Sequence, residues 1–424
     1  MFPWQSGSDG TEETQEVHLN PQSGRWNPDL SHRQRHIGLA IAYNIVLYLR
    51  STGDVDFLAE AGAEMLIEIA RFWASVAEYD RLADRFDISG VMGPDEFHDD
   101  DPNWEGPGLR NNAYTNVMVS WLLATIPSVL EPLPPRQRDS LWRRLRFEQR
   151  EVDRWDEISR KLKVPLHDGD IISQFEGYER LEEFDWEGYR RRYDDIHRLD
   201  RILEAEDDSV NRYKASKQAD VLMLFYLFSL EELVEVFQRL GVPFDEEVLG
   251  RNVDYYLERT SHGSTLSGLV HSWVLARSDR RRSMELCRQA LEADISDVQG
   301  GTTQEGIHLG AMAGTVDLLQ RGYTGMEPGA DGVLRFKPRL DPEIGKLQFG
   351  VYFRRRWIDV TLVGETLTLT SEVTTEPPVD IQVREDRRAL ASGAELKFEV
   401  DTFRPQSTAR RVRNSIVSPG SASV

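Results

Sequence analysis

The segment Gly93-Pro94-Asp95-Glu96-Phe97-His98 sets two carboxyls directly after a Gly-Pro turn, and an asparagine-rich run, Asn111-Asn112-Ala113-Tyr114-Thr115-Asn116, follows it. The turn fixes the backbone, so that one carboxyl can be held where it protonates a departing oxygen while its neighbour points elsewhere. An acidic surface turn and a helix N-cap at Asn111 or Asn112 are the structural alternatives, and neither motif decides alone. Three further segments have the composition of ligand-facing helix starts: Ser216-Lys217-Gln218-Ala219-Asp220, Arg259-Thr260-Ser261-His262-Gly263-Ser264-Thr265-Leu266-Ser267, and Gly306-Ile307-His308-Leu309-Gly310-Ala311-Met312-Ala313-Gly314-Thr315. Free N–H groups and the positive end of the helix dipole attract anions at such places. Each also reads as something plainer: a solvated lysine, a hydroxyl-rich cap, small residues for close packing. Three together, in an acidic chain, point to a specific small anion such as phosphate.

These segments lie between runs of helical periodicity. Apolar positions recur at helical spacing in Ile37 to Leu49, Phe57 to Val76, Asn112 to Leu130, Pro135 to Arg146 and Val152 to Lys161. They do so again in Ser216 to Ser229, Leu230 to Leu240, Asp245 to Leu257, Ser264 to Arg277, Arg280 to Ala293 and Gly306 to Gly322. Loops fall around Gly90 to Gly108 and His167 to Tyr178, and the stretch from there to Asp208 reads as charged and solvated. Residues 1–36 read as one long loop, whose Trp4, Trp26, His18, His32 and His36 suit a functional segment better than a slack one. This order predicts a mainly α, α/α architecture over 1–325 with its chemistry on the loops. After Met326, short alternating runs broken by Gly345, Gly350 and Gly364 predict a small antiparallel β domain over 326–400, and 401–424 read as a flexible tail.

Composition narrows the function classes. The 424 residues carry 51 Lys and Arg against 72 Asp and Glu, a net charge of −21, which opposes nucleic acid and anionic membrane surfaces as main partners. There is no run of ~18 consecutive apolar residues, and Met1-Phe2-Pro3-Trp4-Gln5 has neither the basic nor the apolar part of a signal peptide. Cys287 is the only cysteine, so no intrachain disulfide framework and no thiolate metal cluster can form, and the histidines lack HxxEH or HxH spacing. The expectation is a cytoplasmic protein with no metal and no cofactor.

In this order, GPDEFH, NNAYTN, SKQADV, RTSHGSTLS and EGIHLGAMAGT resemble the catalytic region of the glycoside hydrolase family 65 enzymes, which include maltose, kojibiose and trehalose phosphorylases. The resemblance runs from Phe2-Pro3-Trp4-Gln5 to the β region near Thr370. It implies an (α/α)6 barrel, preceded in the family by a large β-sandwich and followed by a small β domain. It also implies that Glu96 is the general acid, that Ser264, Thr265 and His308 hold phosphate, and that Lys217 and Gln218 contact the transferred sugar. Trp4 and Trp73 resemble residues of the same pocket, and Asp95 and Asn112 are counted with them as substrate-binding. The segment Glu12 to His36 departs from the usual maltose and trehalose phosphorylase versions, which leaves the disaccharide open. Because the chain starts inside FPWQ, the twelve-helix barrel is expected to be N-terminally incomplete.

Inverting cleavage needs an acid on one face of the sugar and a nucleophile arriving at the other. Phosphate in the Ser/Thr/His cradle supplies the nucleophile without a base, giving β-glucose 1-phosphate from an α-glucoside. The partners expected are a disaccharide and phosphate, with a homodimer left open. Two other readings stand beside this one: a hydrolase in which Glu305 or Glu176 activates water, and a carbohydrate-binding remnant without turnover.

Overall fold

A computed structural model describes residues 2–276, 278–296, 306–338 and 344–400. Glu305 and the predicted tail 401–424 therefore lie outside the described residues. In chain order the helices are α1 Ile37–Thr52, α2 Val55–Phe57, α3 Ala63–Val76, α4 Ala113–Leu130, α5 Pro135–Leu145, α6 Gln149–Lys161 and α7 Trp186–Arg192. They continue with α8 Leu199–Ala205, α9 Asp220–Leu227, α10 Leu230–Leu240, α11 Glu246–Leu257, α12 Thr265–Leu275, α13 Arg280–Glu292 and α14 Leu309–Asp317.

Among the described residues, α1, α4, α9, α12 and α14 each touch the next and form an inner arc, while α3, α6, α10, α11 and α13 pack outside it. The sequence explains this division. The outer helix α3 buries one stripe, Ala63, Leu66, Ile67, Ala70 and Trp73, and leaves its other face polar. The inner helix α4 is buried nearly all round from Ala113 to Leu123, because helices surround it. Caps fix where helices begin and end: Asn112 accepts from Thr115 N at α4, Ser229 from Glu232 N at α10, and Gly53 and Gly241 end α1 and α10 in the left-handed conformation.

The inner helices all run the same way. His36, just before α1, sets its ring 5.7 Å from that of Tyr114 in the first turn of α4. Asn112, the cap of α4, bonds Asp220, the first residue of α9, at 2.6 Å. Ser216, before α9, bridges in parallel to Thr260, before α12. A Cβ on Gly310 would lie 3.7 Å from Leu266 Cδ2 and one on Gly314 1.9 Å from Leu269 Cδ2, so α12 and α14 also step along each other in one direction. Five helix N-termini consequently open at one end of the arc.

Two stretches are more ordered than their composition suggests. Residues 1–36 carry a hairpin, β1 Val17–Leu19 with β2 Trp26–Pro28, which docks on α8. Asn20 donates to Arg201 O at 2.9 Å, and Arg25 pairs with Glu204 at 2.6 Å. The stretch expected to be solvated up to Asp208 contains α7 and α8. Its Phe184, Leu199 and Leu203 form a small core with Phe97, Val210 and Ala215, a pattern too interrupted by charge to show as a period. Short hairpins β3 Glu78–Asp80 with β4 Arg85–Asp87, β5 Ser89–Val91 with β6 Leu109–Arg110, and β7 Leu166–His167 with β8 Ile171–Ile172 brace the long loops.

The last strands are β9 Glu327–Pro328, β10 Leu334–Phe336, β11 Lys346–Phe353, β12 Arg356–Val363, β13 Thr366–Ser371, β14 Val379–Val383, β15 Asp386–Leu390 and β16 Glu395–Glu399. They form two four-stranded sheets, β15-β14-β10-β9 and β11-β12-β13-β16, around a separate core that includes Phe336, Ile358, Val360, Leu369 and Ile381. The expectation of a purely antiparallel domain needs one correction, since β10 and β14 pair in parallel. The chain leaves the first sheet after β10, builds three strands of the second, and returns at β14, and such a crossover permits parallel pairing. The tip of the β11–β12 hairpin meets the end of α1, where Arg354 N donates to Ser51 O at 2.7 Å.

The close approach of α12 and α14 makes Gly314 a point of constraint. Gly314→Ala should lower stability by about 1–3 kcal/mol through overpacking against Leu269. The double variant with Leu269→Ala should be no less stable than Leu269→Ala alone, read from denaturant midpoints. Additive losses would show that the contact does not set the helix spacing.

Candidate active site

The acid loop leaves β5 at Val91 and passes over the N-termini of α4 and α9. Met92 N donates to Arg33 O at 3.0 Å, tying the loop to the segment before α1. Glu96 has φ of 64°, the left-handed region that non-glycine residues seldom occupy. Its Oε2 accepts from Lys217 Nζ at 2.5 Å, with both side chains still partly open to solvent.

Asp95 points the other way, into the protein. Its Oδ1 accepts from Lys217 N at 2.6 Å and Gln218 N at 3.3 Å. Its Oδ2 accepts from Gln174 Nε2 at 3.2 Å and faces His98 Nδ1 at 3.0 Å. Asp95 N donates to Asp220 Oδ1 at 2.7 Å, while Asp220 Oδ2 takes the Asn112 amide. Burial first, and then the nearby Asp95 charge, push the Asp220 carboxyl well above the usual carboxylate range. Burial alone would lower His98, but its bond to Asp95 and the Tyr213 carbonyl outweigh it and raise it.

The cradle is joined to the acid loop through backbone. Ser216 N donates to Arg259 O and Ser261 N to Ser216 O, both at 2.8 Å, so the Lys217 and Gly263 loops run side by side. A Cβ at Gly263 would lie 2.4 Å from His197 O and 3.1 Å from Lys217 Cγ, and only glycine lets the chain pass there. Ser264 then caps α12, its Oγ accepting from Leu266 N at 3.3 Å. That bond uses a lone pair and leaves the hydroxyl hydrogen for an anion. Thr265 is the first residue of α12. His308 caps α14, with Nδ1 2.6 Å from Asp294 Oδ1 and its N–H donating to Asp294 Oδ2 at 2.9 Å. The Asp294 contact orients the imidazole so that Nε2 is the nitrogen turned away from that carboxylate. Behind Ser264, His262 Nδ1 lies 2.9 Å from Ser267 Oγ and its ring 4.6 Å from that of His271. Burial pushes His262 down to about 4 and His271 well below the usual imidazole range, leaving both rings neutral.

The residues expected from sequence divide into three groups. Glu96, Lys217 and Gln218 are brought together directly, with Gln218 Nε2 donating to Pro94 O at 2.8 Å while its Oε1 is buried without a hydrogen-bond partner. Trp4 joins them through His36, whose ring is 5.8 Å away and close enough to Glu96 to feel its charge. Ser264 and Thr265 stand at the start of α12, and His308 at the start of α14, which runs parallel beside it. Three assignments need correction. Trp73 has no exposed surface, since it falls on the buried stripe of α3 and belongs to the core. Asn112 is also fully buried, spending its oxygen on the cap and its amide on Asp220 and Gln174 O. Asp95 is only 2% exposed, and its oxygens are occupied by protein donors, so it holds the loop instead of a sugar.

Glu176 is likewise engaged: Oε1 accepts from Lys163 at 2.6 Å and Oε2 from Asn111 at 2.7 Å. Burial opposes its charge, but these bonds win and keep it below the usual carboxylate range. The sequence by itself gave no role to Asp220 or Gln174, and marked His36 only as part of a functional segment. Asp220 stood in a quoted motif, whereas a buried Gln174 in a loop carries no sequence signal.

The model of the glycosyl hydrolase family 65 central catalytic domain matches residues 1–317, and that of the family's C-terminal domain matches 326–390. An uncharacterized glycosyl hydrolase of Mycobacterium tuberculosis is 52% identical over 93% of this chain and 30% of its own length. Trehalose 6-phosphate phosphorylase of Lactococcus lactis is 35% identical over 94% of this chain, and kojibiose phosphorylase of Caldanaerobacter subterraneus is 30% identical over 92%. The chain spans 50% and 48% of those two phosphorylases. A solved structure provisionally assigned as a kojibiose phosphorylase from the human microbiome superposes with a TM-score of 0.69 at 22% identity, over 87% of this chain and 50% of that one, which establishes the shared toroidal fold. With both domain models matched in order across most of its length, this chain belongs to glycosyl hydrolase family 65.

Proposed function

We propose that the protein carries out inverting phosphorolysis of an α-linked glucose disaccharide of maltose, kojibiose or trehalose type, with inorganic phosphate as co-substrate. The observation that supports this most is the parallel pairing of α12 and α14, which sets the Ser264 and Thr265 start and the His308 start at one end, joined through Gly263 to Lys217 and Glu96. Two helix starts side by side suit a dianion better than a water molecule.

In the reaction, Glu96 gives its proton to the glycosidic oxygen as the C1–O bond breaks. A phosphate oxygen forms its bond to C1 from the opposite face, so the α-glucoside becomes β-glucose 1-phosphate and the second sugar leaves with the proton. Lys217 and Gln218 contact the transferred sugar, and Trp4 lies against it. No base is required, because phosphate is already nucleophilic. The engagement of Glu176 by Lys163 and Asn111 weighs against the hydrolytic reading through that residue.

Two substitutions test the assignment in the catalytically active protein. Glu96→Gln keeps the shape and removes the acid, so turnover of an unactivated disaccharide should fall by roughly 10²–10⁴-fold with binding retained. Near wild-type turnover would remove Glu96 from the role. Ser264→Ala should raise the apparent KM for phosphate by at least about tenfold, equivalent to about 1.4 kcal/mol, while the disaccharide KM stays nearly unchanged. Release of free glucose at equal rates with and without phosphate would instead establish a hydrolase.

A further inference from the structure

The least ordinary backbone at the site is that of Glu96, and the groups that hold it lie behind it. A left-handed glutamate costs free energy and persists only where its surroundings over-determine it. The turn before it is wound on one side chain: a Cβ at Gly93 would lie 2.0 Å from Asp220 Oδ2 and 2.6 Å from Asn112 Nδ2, and Asp95 N donates to Asp220 Oδ1 at 2.7 Å. Asp220 in turn is fixed from three sides. Asn112 of α4 donates to it at 2.6 Å, its own N–H donates to Gln174 Oε1 at 2.7 Å, and it opens α9 with only 1% exposure. From Asp220 the chain of contacts runs through Asp95 to Lys217 N and returns through Lys217 Nζ to the Glu96 carboxylate.

We propose that Asp220 is the positioning residue of the acid site: its carboxyl anchors the Gly93–Glu96 turn and so fixes the left-handed backbone from which Glu96 is presented. The inference rests on the reading of Glu96 as the acid, although Asp220 itself touches no reacting atom. Asp95 and His98 of the loop, Tyr114 of α4 and Tyr256 of α11 are the titratable groups that face Asp220.

The anchor can be cut from either side. Asp220→Ala removes the acceptor of Asp95 N–H, Gly93→Ala drives a methyl into Asp220 Oδ2, and Asp220→Asn keeps one acceptor oxygen. Hydrogen–deuterium exchange should rise in segment Met92–His98 in Asp220→Ala and Gly93→Ala and much less in Asp220→Asn, with α6 and the β domain unchanged. On a disaccharide, the two disruptive variants should lose at least about 100-fold in kcat with KM changed by less than about threefold. On α-glucosyl fluoride with phosphate, whose leaving group needs no proton, they should stay within about threefold of wild type, the signature of an acid out of place. Unchanged exchange at Met92–His98 in all variants overturns the anchor, as does an equal loss on both substrates in folded protein. A wild-type protein that forms no sugar phosphate from any α-linked disaccharide overturns the phosphorolysis reading, and the exchange pattern then decides the anchor by itself.

Discussion

The shared direction of the inner helices is the constraint on which the rest of this structure depends. A helix start exposes N–H groups that its own turns cannot satisfy, and aligned peptide dipoles give it positive character. Placing the starts of α1, α4, α9, α12 and α14 at one end concentrates that character in a chain whose net charge is −21. The alignment is made link by link by unlike contacts: an aromatic edge between His36 and Tyr114, an amide–carboxyl bond between Asn112 and Asp220, a parallel bridge at Ser216 and Thr260, and a glycine face on α14 against leucines of α12. Each link also places a residue of the site, so packing and chemistry are set by the same contacts.

Beneath the open end lies a polar layer that a simple core would avoid. Asp95, His98, Asn112, Gln174 and Asp220 are all buried, and burying unsatisfied polar groups costs several kcal/mol by the usual range of about 2–7 kcal/mol each. The layer is tolerated because its donors and acceptors are matched. Such a network has few alternative arrangements. It therefore gives rigidity to a turn that local propensity alone would not adopt.

The connections around the site follow the same logic at lower cost. The hairpin Val17–Pro28 sits on α8 through Asn20 and Arg25, so it is held by side chains and not by a core. The β domain meets the helical part at the end of α1, the opposite end from the helix starts, where Arg354 N caps Ser51 O. Its own core is separate from that of the helices.

Periodicity by itself determined the longer helices, because a stripe such as Ala63, Leu66, Ala70 and Trp73 or a mostly apolar run such as Val117 to Leu123 has one economical way to be buried. The ordered motifs determined the family, and the local chemistry of Gly-Pro turns and Ser or His caps determined that Glu96, Ser264 and His308 stand at element ends. Tertiary structure decided which polar residues face outward. Asp95 and Glu96 are neighbours with the same functional group, and only the pull of Gln174, His98 and the Lys217 backbone turns one inward and leaves the other beside the Lys217 ammonium. Trp73 and Trp4 differ in the same way, one on a buried helical stripe and one against His36. Apart from His98, three residues on, the partners of Asp95 lie 79 to 125 residues away along the chain. No local pattern encodes such pairings, because they come into being only when the helix starts are brought to one end.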